Sequence, residues 1–258
     1  AARYYYSVLQ SPEGAAVQAY LDKRRIRRGI AVRFGMGAAP DSWDALLTAM
    51  THKGYTKQEL ISAGLAVNGK NGRLYDKFRN RLMLPVIDTR GDVVAFGSRV
   101  LDKSEPKYMN TPETLTYSKR RILYGMNLAK KSKRSNIILC EGNLDVVTLH
   151  QAGFDNAVAS MGTALTQEQL RLLSRYTKEL VLCYDNDNAG QQATRRALEL
   201  LNNSEFSVKV LQLPRRLVDG EYIKQDADDF IKLQGPAAFE RLLTGSENGV
   251  EFRLDQIA

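Results

Sequence analysis

Two short, unbroken apolar runs mark the second half of the chain, Ile137-Ile138-Leu139-Cys140 and Leu180-Val181-Leu182-Cys183-Tyr184. Each is followed at once by acidic residues and then by a helical pattern. Runs of this length, bounded by helices, read as strands covered on both faces, as in parallel sheets. Around them the pattern predicts a helix over Leu144–Gln151 closed at Gly153, and a short buried strand over Ala157–Ser160. A capping box at Thr166 and Gln169 opens a helix running to Tyr176. A helix over Ala189–Leu201, a strand over Val208–Leu213 and a helix from Gly235 through Leu243 complete the series, leaving an unassigned tail. Alternation of this kind predicts βαβ units with right-handed crossovers.

The first half has a different rhythm. Residues 11–29 predict a helix with Ser11 as N-cap and Pro12 at the first helical position. Phe34 to Pro40 is a tight glycine-rich connection. Asp41–Met50 and Lys57–Ala63 predict short helices, the second with a capping box at Thr56 and Glu59 and a stop at Gly64. Leu82–Ile87 and Val93–Phe96 predict a hairpin of short antiparallel strands around Asp88-Thr89-Arg90-Gly91-Asp92. A long polar stretch over residues 103–121 precedes a helix over Ile122–Lys131, and loops of that length are usually functional.

Charge sharpens the division. Residues 1–134 carry 25 Lys and Arg against 11 Asp and Glu, a net of +14, whereas residues 135–258 carry 12 against 18, a net of −6. A basic surface beside an acidic pocket suits an enzyme acting on nucleic acid. At 258 residues, with 43% hydrophobic and 26% charged, the composition is that of a soluble globular protein with one large or two small cores. No apolar stretch approaches the roughly 20 residues needed to span a bilayer, so a cytoplasmic location is expected. The two cysteines, Cys140 and Cys183, sit in buried strands and read as small core residues, and with only His52 and His150 no zinc spacing is present. The first residue is Ala1 rather than methionine, which fits a piece of a longer protein.

The acids just past the two strands carry the chemistry. Glu141, Asp185 and Asp187 fall where open α/β sheets place their ligand crevice. Two carboxylates about 4 Å apart repel by roughly 4 kcal/mol at an effective dielectric near 20, so such a group must be protonated, spread apart or occupied by cations. Oxygen donors without thiolate or imidazole suit magnesium or manganese. The plainer alternatives stand beside this: Asp187 as cap of the next helix, Glu141 as a solvated turn residue, and Asp226 or Asp228 as helix caps.

Glu141-Gly142 with Asp145, and Asp185-Asn186-Asp187-Asn188-Ala189-Gly190, resemble the two signatures of the Toprim domain of bacterial primases, topoisomerases and some nucleases. Leu144-Asp145-Val146-Val147, Gln151-Ala152-Gly153-Phe154 and Ala159 to Thr166 are similar to the bacterial DnaG-type primase. So is the basic block Phe78 to Val86 with Ala95 to Val100. Asn143-Leu144 and Asn186 depart from the usual family residues, and Arg120 stands where glycine is common. The resemblance implies an α/β fold: a mixed α+β basic N-terminal subdomain (1–134), then a Toprim subdomain (135–214) with a mainly parallel sheet flanked by helices, then a third acidic element with C-terminal helices (215–258).

The same resemblance implies DNA-templated RNA primer synthesis, with a Toprim nuclease or topoisomerase fragment, or a non-catalytic single-strand binder, as the alternatives. Catalysis falls to Glu141, Asp185 and Asp187, and one or two Mg2+ or Mn2+ ions to these three with Asp226 and Asp228. Nucleotide binding falls to Lys107, Lys119, Arg121, Asp145 and Asn110. DNA binding falls to Arg24, Arg79, Asn80, Arg81 and Arg99. The implied partners are single-stranded DNA template, ribonucleoside triphosphates and the RNA–DNA hybrid product. A zinc-binding domain and a replicative helicase are expected to engage only through regions outside these residues.

Overall fold

The predicted hairpin is the spine of the first half, and its strands are longer than the turn signals suggested. Asp88 organises the turn, its carboxylate accepting the backbone N–H of Arg90 (2.8 Å), Gly91 (3.0 Å) and Asp92 (3.0 Å). In this computed structural model, which describes residues 1–70, 72–214, 216–218, 221–223 and 225–248, the chain forms two compact units, Ala1–Ser118 and Lys119–Ala258. No helix among the described residues is long and apolar enough to cross a membrane.

In the first unit the helices are α1 (Ala2–Leu9), α2 (Ala15–Lys23), α3 (Arg28–Arg33), α4 (Ala45–His52) and α5 (Lys57–Ser62). The strands are β1 (Gly37–Ala39), β2 (Ala66–Asn68), β3 (Leu74–Asp76), β4 (Arg81–Ile87), β5 (Val93–Val100) and β6 (Tyr108–Asn110). A four-stranded antiparallel sheet runs β1-β4-β5-β6, with β5 extended to Val100, which pairs with Arg81 of β4, and with β6 pairing along Gly97–Arg99.

The helix expected over 11–29 is instead a short 3-10 turn, Pro12–Gly14, followed by α2 and α3. Ser11 does not cap it. Its hydroxyl donates back to the Val8 carbonyl at 2.8 Å, and Gly14 lies so close to α1 that a Cβ there would meet the Val8 oxygen at 2.4 Å. Arg25 then breaks the helix in the left-handed region (φ 56°). The helix expected over 41–50 begins only at Ala45, because its cap comes from afar: the buried Asp76 carboxylate accepts the N–H of Leu46 (2.7 Å) and Leu47 (2.9 Å). The Thr56–Glu59 capping box forms as the sequence predicts. Tyr5, Leu46, Met50, Phe78, Met83 and Phe96 fill the core.

The second unit holds α6 (Met126–Ala129), β7 (Asn136–Cys140), α7 (Asn143–Gln151), β8 (Ala157–Ala159), α8 (Gln167–Leu173), β9 (Glu179–Cys183), α9 (Asn188–Leu201) and β10 (Ser207–Val210). A hairpin, β11 (Arg216–Val218) and β12 (Glu221–Ile223), then α10 (Ala227–Gln234), α11 (Pro236–Thr244) and β13 (Glu247–Asn248) follow. The sheet order is β13-β10-β9-β7-β8; all pairs but β10–β13 are parallel, as the βαβ alternation predicts. Arg215, Lys224 and the tail from 249 lie outside the described residues.

Residues 119–134, grouped by charge with the basic half, pack in this second unit. Tyr124 exchanges backbone hydrogen bonds with Ala159 at 2.8 and 3.1 Å, and Leu123, Met126 and Ala129 join its core. That early pairing also trims the helix expected over 122–131 to α6.

Period-two alternation sorts the strand residues between the two helical layers. Ile137, Leu139, Leu180 and Leu182 pack with Leu173 of α8 and Leu198 of α9. Ile138, Cys140, Val181 and Cys183 therefore point to the opposite face, which α7 covers, with α10 packed against α7. Cys140 and Cys183 are register partners and both buried; a hydrogen bond with Cys183, then burial, pushes the Cys140 thiol well above its ordinary value.

Candidate functional site

The acids gather at the carboxyl ends of β7 and β9 through local geometry that explains their spacing. Asp145, on the first turn of α7, folds its carboxylate back onto the Gly142 N–H at 3.1 Å. A Cβ at Gly142 would come within 2.7 Å of that carboxylate, so Glu-Gly-x-x-Asp needs its glycine. Asp187 caps α9, accepting the Gly190 N–H at 2.8 Å. The same Gly190 passes over Asp185 so closely that a Cβ would sit 2.0 Å from the Asp185 carbonyl oxygen. The plain capping role of Asp187 is therefore real. Asp226 likewise caps α10 through the Asp229 N–H at 2.7 Å.

Asp145 is the electrostatic centre of one group. Burial first, then the nearby charges of Asp226, Asp185 and Asp228, hold its carboxyl well above the usual carboxylate range. Asp145, expected at the nucleotide, is thus buried among acids drawn from two other segments. Asp228 is buried too, but its oxygens are engaged by the Thr148 hydroxyl (2.5 Å) and the Lys232 ammonium. Asp226, Asp228 and Asp229 bring one oxygen each within 4.8 Å of one another. A buried carboxyl raised by its neighbours' charge is what a divalent cation relieves, and all-oxygen donors fit magnesium or manganese.

Glu141 stands apart. Alternation continued past Cys140 turns it towards the α8 and α9 layer, where it lines a cavity of about 280 Å³ with Ser160, Thr163, Tyr184, Ala193 and Arg196. It accepts the Asp185 N–H at 3.4 Å. Beside the cavity loop, Lys119 and Arg121 lie on a backbone segment held against the start of α8: the Thr166 hydroxyl donates to the Arg120 carbonyl at 2.6 Å, and Arg120 pairs with Glu168 at 3.4 Å.

In the first unit, the expected DNA-binding arginines are arranged by aromatic rings that sequence reading missed. The Arg79 guanidinium lies 4.3 Å from the Trp43 ring centre and 5.0 Å from that of Tyr75. Trp43, the sole tryptophan, is 60% exposed, which for so large an apolar ring is itself a signal of recognition. Arg99 sits between Tyr20 and Tyr108, and Arg24 donates to the same Tyr20 hydroxyl at 3.1 Å. Arg81 is buried at 6% exposure, and neither its Nη1 nor that of Arg99 has a hydrogen-bond partner. A buried guanidinium with an unmet donor is costly unless an anion meets it. Asn80 fills a backbone need, a left-handed φ of 48° that asparagine tolerates. Lys107 is exposed beside Tyr108, and Asn110 pairs with Gly97 across β5 and β6.

The family model described as "DNA primase catalytic core, N-terminal domain" matches residues 4–130, and a Toprim-like model matches residues 138–231. A DNA primase of Clostridium acetobutylicum is 44% identical over 257 residues, covering 99% of this chain and 41% of its own. The chain thus spans about two fifths of the length of the curated relatives it matches. Among solved structures, a DnaG primase catalytic domain bound to single-stranded DNA is 36% identical with a TM-score of 0.89, covering 99% of this chain and 79% of that one. The Escherichia coli primase catalytic core has the same identity and TM-score, with 99% and 81% covered.

Proposed function

The chain belongs to the DnaG-type DNA primase family, in its catalytic core, and from that premise we propose that it synthesises RNA primers on single-stranded DNA. The reaction is nucleotidyl transfer: the 3′-hydroxyl oxygen of one ribonucleotide attacks the α-phosphorus of the next triphosphate, and pyrophosphate leaves. The observation that carries this reading is the convergence of Asp145, Asp185, Asp226 and Asp228 beyond the strand ends.

Asp185, Asp187 and Asp226 would hold magnesium or manganese, with Asp228 behind them and Glu141 at the cavity edge. A divalent cation bound there supplies charge to acidify the attacking hydroxyl and to steady the departing pyrophosphate. Glu141, on the cavity side, holds or moves the proton of the attacking hydroxyl. Lys107, Asn110, Lys119 and Arg121 take the triphosphate, and Asp145 keeps the first turn of α7 and the neighbouring acids in place. Arg24, Arg79, Arg81 and Arg99, with Asn80 shaping the turn between them, take template phosphates, while Trp43 offers a face for a base. The RNA–DNA hybrid is the product, the location the cytoplasmic replication fork. The zinc-binding domain and the replicative helicase engage through other regions of the full-length protein.

The test is incubation of the purified chain with single-stranded DNA, four ribonucleoside triphosphates and manganese or magnesium. Short template-dependent RNA is expected, and Asp185→Ala should abolish it while leaving DNA affinity intact or raised. Cleavage of the DNA instead would transfer the site to a Toprim nuclease. Loss of DNA binding in the variant would refute separate metal and template sites.

A further inference from the structure

Gln169 has no place in the chemistry just described, yet it is fully buried and uses both ends of its amide. Its Oε1 accepts the Thr166 N–H at 3.1 Å, while its own N–H donates to the Thr166 hydroxyl at 3.2 Å, closing the capping box of α8. A capping box needs only that acceptor, and Glu serves as well as Gln there. The Nε2 does something further. It donates to the carbonyl of Lys119 at 3.0 Å and to that of Ile122 at 3.0 Å, bracketing Arg120 and Arg121. The Thr166 hydroxyl completes the grip on the carbonyl between them, at Arg120. Three carbonyls in four residues are thus held by two side chains of one helix start.

Position gives the grip its meaning. Thr166 directly follows Leu165, which lines the cavity that also contains Glu141. The clamped segment carries three consecutive cations, Lys119, Arg120 and Arg121, of which Arg120 is paired to Glu168. A mobile cationic loop must lose backbone freedom when it meets a phosphate, whereas a clamped one has lost it on folding.

We propose that Gln169 is a positioning residue for nucleotide binding, fixing the backbone of Lys119–Ile122 so that Lys119 and Arg121 are presented preorganised to the triphosphate. The inference rests on the reading of Lys119 and Arg121 as phosphate ligands. Gln169→Met keeps the side-chain length and removes the donors. Two readouts are made on the purified chain with manganese: the dissociation constant of a fluorescent ribonucleoside triphosphate, and the rate of limited tryptic cleavage after Lys119, Arg120 and Arg121. The variant should weaken nucleotide binding about fivefold for each hydrogen bond lost and speed cleavage at those three bonds alone.

Leu173→Ala is the control, since it loosens the buried face of α8 without touching the clamp. If it reproduces both effects, Gln169 is merely structural and the proposal falls. Unchanged binding in Gln169→Met while Lys119→Ala/Arg121→Ala weakens it overturns the clamp alone. Parent-like binding in Lys119→Ala/Arg121→Ala removes the phosphate role, and the clamp's function with it. Should Gln169→Met not fold, Gln169→Glu, which retains the cap acceptor but has no donor, carries the same test.

Discussion

Gly190→Ala sets two physical effects against each other. Gly190 is in the first turn of α9 and its φ is not left-handed, so helix propensity alone predicts a gain of about 1 kcal/mol on replacing glycine by alanine. The added Cβ would lie 2.0 Å from the Asp185 carbonyl oxygen, 2.8 Å from its carbonyl carbon and 3.0 Å from its nitrogen. Since Cβ contacts under 3.0 Å are essentially never found, the backbone of Asp185 or of the helix must move by about 1 Å. No flexible side chain stands in between to absorb the shift. Overpacking of that kind costs about 1–3 kcal/mol, so the net expectation is destabilisation by about 1–2 kcal/mol, opposite in sign to propensity. A displacement of about 1 Å at Asp185, in its proposed role of holding the metal, would cost on the order of 100-fold in rate. Thermal unfolding without divalent ions, and primer synthesis with them, measure the two effects. Gly29→Ala in α3, where a Cβ meets nothing within 4 Å, is the matched control and should be neutral or stabilising. A Gly190→Ala protein that melts higher than its parent and keeps full activity refutes the close-approach argument.

Two further outcomes follow from the same geometry. The Asp145 carboxyl is raised in the fold above the value near 3.9 of the unfolded chain, so its burial penalty is absent below about pH 4 and grows as pH rises towards the folded value. Asp145→Asn should therefore raise the melting temperature of the metal-free protein at pH 7, with the gap closing near pH 4; a gap independent of pH would sink that reading. Arg79→Ala removes the cation between Trp43 and Tyr75, and the log–log salt slope of single-stranded DNA binding should fall by about 0.7. An unchanged slope would mean that Arg79 only supports the Trp43 ring.

Sequence reading succeeded where the determinant is local. The capping boxes at Thr56 and Thr166, the cap at Asp187 and the parallel strands at 136–140 and 179–183 each depend on residues a few positions apart, and each is in the structure. It failed where a distant partner decides. The start of α4 is set by Asp76, some thirty residues on, and nothing in residues 41–50 announces it. The break at Arg25 needs a left-handed arginine, which no propensity favours. Charge placed a boundary at 134, between the two family matches, while backbone pairing of Tyr124 with Ala159 packs residues from 119 with the second unit. One missed contact was within reach: Lys232 is four residues after Asp228 on α10, the spacing of a helical ion pair.

The arrangement of the acids follows from the two-residue period of the strands more than from the motifs. Glu141 and Asp185 are the first carboxylates beyond paired strands, but Cys140 pairs with Cys183, so Glu141 follows its strand by one residue and Asp185 by two. The offset of one residue sends the two carboxylates to opposite faces of the sheet. Asp185 turns towards α7 and α10, which add Asp145, Asp226 and Asp228. Glu141 turns towards α9 and the open cavity. Had the acids shared one face, five carboxylates would crowd a single volume, with mutual repulsion of roughly 4 kcal/mol for each close pair at an effective dielectric near 20. In the proposed reaction, division across the sheet edge would let one group gather charge for a cation while the other keeps a carboxylate for the hydroxyl proton, and the Asp185 N–H reaching Glu141 at 3.4 Å ties the two together.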